Sequence, residues 1–133
     1  MNNNIEPHYV SYDFAKFLKS KGFNVFCRQA FYGDVEDEEI ENNEPTTTGD
    51  DFILGEYDCY APEHWEVVDW LYKNYGIWVQ TTWVKDNTFR CGVIDTDNKT
   101  EFIIRTKDEQ LYHKTPEEAY SAAFDYIKTK GLI

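Results

Sequence analysis

The sequence is short of basic residues: 13 Lys and Arg stand against 25 Asp and Glu, a formal net charge of −12. Affinity for nucleic acid rests on cations that displace counterions from phosphates, so no nucleic-acid partner is expected. Cysteine is scarce. Cys27, Cys59 and Cys91 are odd in number and widely spaced, which excludes a disulfide framework and reads as buried thiols in a reducing cytoplasm. No apolar run reaches the length of a membrane span, so no membrane partner is expected. The opening "MNNNIEPHYV" lacks the basic start and apolar stretch of a secretory signal. Motifs of chemistry are missing too: there is no glycine-rich phosphate loop, no Gly-x-Ser-x-Gly and no His-Glu-x-x-His. Cys59 and His64 are the only near pair of zinc-type ligands, and His8 and His113 stand apart. The expectation is a protein with no cofactor, no metal and no enzymatic activity.

Two things are abundant. The first is aromatic residues: 10 Tyr, 9 Phe and 4 Trp in 133 residues, enough for an aromatic core with rings left for a surface. The second is local acidity. Residues 33–58 hold eleven acids and no Lys or Arg, and without them the net charge is −1. The run "DVEDEEIENNEP" lacks the central glycine and alternating oxygen ligands of a calcium loop, and "DTDNKTEF" puts Lys99 at a ligand position. Both read as turns or solvated loops.

A chain of this length is expected to form a single domain over 1–133. "VSYDFAKFLKSKGF" reads as a helix over 10–23, with Ser11 as cap, Phe14, Phe17 and Leu18 as its apolar stripe and Gly22 as terminator. "FNVFCRQAFY" reads as a strand over 23–32, Val25 and Cys27 on one side, Phe26 and Arg28 on the other. Residues 33–51 read as an acidic loop, its Pro, Gly, Asn and Thr breaking regular structure, and 51–57 as a short strand. "APEHWEVVDWLYKNYG" reads as a helix that starts at Pro62 and stops at Gly76, with Trp65, Val68, Leu71, Tyr72 and Tyr75 on its buried face and Val67 and Trp70 beside them. Three strands over 77–84, 88–94 and 100–106 follow as an antiparallel meander. "TPEEAYSAAFDYIKTKG" reads as a helix over 116–129, capped by Thr115 and Glu118 and closed by Gly131. Its buried face is Ala119, Ala122, Ala123, Tyr126 and Ile127. The fold class is α+β: a helix–three-strand–helix unit (αβββα) over 61–131, with the helix–strand unit of 10–32 packed on it and its strand a possible extension of the sheet.

The order of elements over 61–131 resembles the double-stranded-RNA-binding domain. That family carries lysines at the start of its second helix, where this chain has Glu117 and Glu118, so the resemblance implies an architecture and not RNA binding. Three stretches, "VSYDFAKFLKSKGFN", "YAPEHWEVVDWLYKNYGIWV" and "TPEEAYSAAFDYIKTKGLI", resemble a group of small phage and prophage proteins of gut Bacteroidota. The chain departs at Glu63, where that group often has Thr. The matching positions are mostly core and cap residues, so the resemblance implies a phage-related origin and a fold, and no activity.

Two surfaces are candidates for binding. One is the acidic run, with Glu36, Asp37, Glu38, Glu39 and Glu41 facing a basic site on a host or phage protein. The other is the strand "IWVQTTWV", whose alternation leaves Trp78 or Trp83 on the sheet face that helices do not cover; the N-terminal unit is expected to cover that ring. The leading expectation is a cytoplasmic accessory protein that binds another protein. The alternative is a small-molecule binder of nucleotide type with an aromatic pocket.

Overall fold

The computed structural model describes residues 8–33, 44–49 and 52–133. Among these the chain is α+β, with three helices and two small antiparallel sheets of three strands each. It falls into two compact units that divide between Glu63 and His64.

In the first unit, α1 spans Tyr12–Ser20. The Ser11 hydroxyl accepts from the Phe14 N–H at 3.1 Å, satisfying a donor that the first helical turn leaves unpaired. Gly22 takes φ +90°, and the Phe23 N–H folds back to the Leu18 carbonyl at 3.0 Å, so the helix stops where a residue without Cβ permits it. Phe14, Ala15 and Leu18 are buried and Phe17 is half-buried.

The expected strand over 23–32 is reduced to β1, Gln29–Phe31. Val25 and Cys27 do not share a face: Val25 is exposed and Cys27 buried. Nor does this strand extend the sheet of 77–106. It is the centre of its own sheet, between β2 (Thr46–Thr47) and β3 (Cys59–Tyr60). β2 lies in a stretch read as loop, whereas 52–57 contains no strand. Hydrogen bonds explain both differences. The Gln29 side-chain amide donates to the Thr47 hydroxyl at 3.0 Å, and the Thr48 hydroxyl donates to the Cys27 carbonyl at 2.9 Å, stitching the threonines to β1. Before β3 the chain turns back on itself, with the Asp58 N–H on the Gly55 carbonyl at 3.2 Å.

In the second unit, α2 spans His64–Tyr75 and ends at Gly76, φ +66°. Pro62 precedes the helix and does not start it. Its carbonyl accepts from the Val10 N–H at 3.1 Å, and Glu63 forms a bridge with Tyr9, so both residues are held extended. The buried face of α2 is also rotated from the expected one. His64, Val67, Val68, Trp70 and Leu71 are buried, while Trp65 is 66% and Tyr72 50% exposed. The apolar residues of α2 spread over more than half of its circumference, so its own pattern carries no unique rotation, and packing chose the side that includes Val67, Trp70 and Leu71.

The strands β4 (Ile77–Trp83), β5 (Phe89–Asp95) and β6 (Thr100–Ile104) form the expected meander in the order β4-β5-β6. Asp86 and Asn87 take φ 52° and 57° at the first turn, the left-handed pair that a tight hairpin with right-handed strand twist requires. α3 spans Pro116–Thr129, and the Thr115 hydroxyl accepts from the Glu118 N–H at 3.1 Å. Ala119, Ala123 and Ile127 are buried as expected, joined by Phe124; Ala122 and Tyr126 are half-buried.

Candidate functional site

The ladder decides which side chains share a face. Residues opposite each other across antiparallel strands point the same way. Val79 faces Val93, Thr81 faces Cys91, and Cys91 faces Ile104; these lie on the side that α3 covers, where the Cys91 thiol donates to the Ala119 carbonyl at 3.4 Å. Trp78, Ile94 and Glu101 form a row on the other side, followed by Gln80, Gly92 and Ile103, then Thr82 and Arg90. On this side Trp78, Gln80, Thr82, Arg90 and Glu101 are exposed.

The two candidate tryptophans are therefore not one site. They stand five residues apart on one strand, about 17 Å at about 3.4 Å per residue. Trp78, 39% exposed, belongs to the open face by register. Trp83 has the parity of the covered face, but at the end of β4 it is 60% exposed.

Trp78 takes part in an aromatic groove of about 450 Å³, lined by Trp65, Val68 and Asp69 of α2, Val79 of β4 and Tyr120 of α3. Tyr72 meets Trp78 edge-on, ring centroids 5.6 Å apart. Asp69 at the rim pairs with Lys73 one helical turn on, at 2.9 Å, an exposed pair of small energetic weight. Trp65 and Tyr72 escaped the sequence reading because they were assigned to the buried side of α2. Trp83 borders a separate depression on the open sheet face, with Gln80, Thr82, Arg90 and Glu101 around it. Those four were visible as polar residues at alternating strand positions.

Of the acidic candidates, Glu36, Asp37, Glu38, Glu39 and Glu41 lie outside the described residues. Asp58, from the same acidic run, has a structural place: its two carboxylate oxygens accept from the Gly33 N–H at 3.1 Å and the Gly55 N–H at 3.0 Å.

The three thiols are free and buried. Burial pushes Cys59 and Cys91 up to about 11 from 9.0. A thiolate is the nucleophile, and the fold disfavours it. Both thiols are expected to react with iodoacetamide at pH 8 about a hundredfold more slowly than in the unfolded chain, a ratio set by the two-unit rise. Mass spectrometry of a quenched time course measures it. The sign of the linkage follows. Between pH 9 and about 11 the unfolded chain loses these protons and the folded chain keeps them, so stability falls as pH rises through that window. Among the described residues no group of three or more His, Cys, Asp or Glu side chains is placed to hold a metal ion, and no helix is long and apolar enough to cross a membrane.

Compared with known proteins, the chain matches no family, no curated protein and no solved structure.

Proposed function

We propose that this chain is a non-enzymatic binding protein whose contact surface is the aromatic groove beside β4. One observation carries the reading: Trp65, Tyr72 and Trp78 are 66%, 50% and 39% exposed around an apolar groove of about 450 Å³. Leaving large rings in water costs stability, and clustered exposed rings are what protein-binding hot spots are made of. The partner is a host or phage protein that inserts an apolar side chain between the rings and carries Lys or Arg nearby. The net charge of −12 attracts such a partner over several ångströms. Glu36, Asp37, Glu38, Glu39 and Glu41 then set the rate of encounter, and the groove holds the complex. The helix–three-strand–helix order over 61–131 would act as a rigid frame for the groove, and that order of elements resembles double-stranded-RNA-binding domains without their basic grip. The sequence resemblance supports a phage or prophage accessory role in the cytoplasm.

The test separates the two contributions. Trp65→Ala with Trp78→Ala is expected to weaken a captured partner about 30-fold or more, since hot-spot truncations cost about 2 kcal/mol. Circular dichroism should stay unchanged. Replacing the five acids by Gln or Asn is expected to slow association and flatten its salt dependence, leaving dissociation unaltered. Equal affinity of the double Trp variant and the parent would remove the groove from the mechanism.

A further inference from the structure

The aromatic groove lies wholly within the second unit, and its lining is chemically one-sided. Trp65 and Tyr120 supply rings from α2 and α3, Trp78 a third from β4, and Val68 and Val79 aliphatic walls. By register Trp78 leaves β4 on the open side of the sheet. But β4 is an edge strand, and the indole meets Tyr72 of α2, ring centroids 5.6 Å apart and planes at 84°. Trp78 is therefore held at the sheet edge, beside α2. Trp65 stands seven residues before Tyr72, on the same side of that helix. Tyr120 is also fixed by its neighbours: its ring lies 5.4 Å from the His64 imidazole and stacks with Phe124 at 6.2 Å. The charged member of the lining is the Asp69 carboxylate.

The face of an aromatic ring is negative, so rings around one space attract a cation, and a carboxylate at the rim adds to the attraction. Lys73 offsets part of that carboxylate, but an exposed pair one helical turn apart is weak and leaves Asp69 open to a second cation. Acceptors are what the lining has little of. An indole only donates and a valine side chain has no polar atom, which leaves the Asp69 carboxylate and the Tyr120 hydroxyl. A plain ammonium or guanidinium would surrender the hydration of its N–H donors for few partners. A quaternary ammonium has no N–H to satisfy and spreads its charge under methyl groups, so ring faces suit both its charge and its surface. The head fills only part of the space of about 450 Å³, and Val68 and Val79 offer apolar wall to a methylene stem. A net charge of −12 turns the chain away from an anionic membrane surface, which favours a protein over a lipid as the carrier.

We infer that the groove is an aromatic cage for a quaternary ammonium, the head of a trimethylated lysine on the partner protein. Trp65, Trp78 and Tyr120 surround the methyl groups, and Asp69 draws the charge to the rim. Tyr72 is a positioning residue that holds the Trp78 indole. The inference rests on the groove being the contact surface proposed above, and narrows what enters it to one modified side chain.

The experiment titrates the full ¹⁵N-labelled chain with a tripeptide of trimethyllysine between two glycines, blocked at both ends. It follows the indole N–H resonances, with Trp65→Phe and Trp78→Phe to assign two of them. Parallel titrations use the unmodified lysine peptide, the peptide with carbon in place of the quaternary nitrogen, and phosphatidylcholine vesicles. Saturable shifts of Trp65 and Trp78, with a dissociation constant on the order of 1 mM and Trp83 unmoved, are the expected result. The lysine peptide and the neutral peptide should each bind about tenfold more weakly, the scale of a desolvated cation–ring contact. Trp65→Ala and Trp78→Ala should each weaken binding about tenfold or more, with backbone spectra that remain folded, and Asp69→Asn about threefold. Tyr72→Ala should weaken it several-fold, whereas Tyr72→Phe, which keeps the ring, should bind like the parent. Absence of shifts at about 20 mM trimethylated peptide, well above that constant, would overturn the inference. So would shifts with vesicles alone, which would make a lipid head the occupant. Equal binding of the neutral peptide would overturn the cage and leave an apolar contact groove. Failure of the contact surface itself reads differently: a captured partner would then bind the double Trp variant as it binds the parent.

Discussion

Phe124→Ala is expected to lower the stability of the second unit by about 3–5 kcal/mol, the range for truncating a buried aromatic ring. Phe124 is 2% exposed on α3. Its ring meets the His64 imidazole edge-on at 5.6 Å and stacks with Tyr120 at 6.2 Å. Removing it leaves a cavity between α2 and α3, and His64, itself 8% exposed, loses a packing partner. Urea unfolding measures the loss as a lower midpoint at unchanged slope. Trp65→Ala is the control. At 66% exposure its stability change should stay within about 0.5 kcal/mol, although the ring is just as large. A Phe124 effect below about 1 kcal/mol would contradict the burial of its ring against His64 and Tyr120.

In the first unit the largest effect is expected from Asp58→Ala, a loss of about 2–4 kcal/mol. Hydrogen bonds to a charged group contribute about 1.5–3 kcal/mol each, and the half-exposed position tempers the sum. Asp58 draws together Gly33 and Gly55, and the Lys19 ammonium donates to the carbonyls of Gly55 and Asp58 at 3.1 and 2.7 Å. The chain passes so close here that a Cβ on Gly33 would lie 2.2 Å from the Tyr57 carbonyl oxygen. Asp58→Asn keeps one acceptor oxygen and should lose less than half as much. Amide exchange at Gly33 and Gly55 reports the two bonds directly. Unchanged protection in Asp58→Ala would dismiss the carboxylate as the anchor.

The second unit was the more legible of the two. Thr115, Pro116 and Glu118 mark the start of α3, because an unpaired helix start needs a side-chain acceptor and Pro has no N–H to lose. The turns at 85–87 and 95–99 separate β-branched and aromatic runs, so the hairpins were readable from local chemistry. In the first unit local chemistry misled. Thr46 and Thr47 look like loop residues beside Pro45 and Gly49, and they become a strand only because β1 offers them a ladder and side-chain partners. Phe52, Ile53 and Leu54 look like a strand and are not one, because the Gly55–Asp58 turn bends the chain that follows.

The candidate sites divide along the same line. That strand 77–83 would show solvent a tryptophan was legible, since side chains alternate and one face of this sheet is open. Which indole belongs to that face depended on register: the pairing of Trp78 with Ile94 puts it there, and Trp83 reaches solvent for a different reason, as the last residue of its strand. The rotation of α2 was not legible, because Trp65, Val68 and Tyr72 make as plausible an apolar stripe as His64, Val67 and Leu71. Composition and charge are sums over residues, and caps and turns act within a few residues, so the sequence alone carries the absence of catalytic motifs, the excess of acid and rings, and most helix ends. The groove and the sheet depression join residues from α2, β4, β5, β6 and α3, and such neighbours exist only once long-range pairing has set one register and one helix rotation.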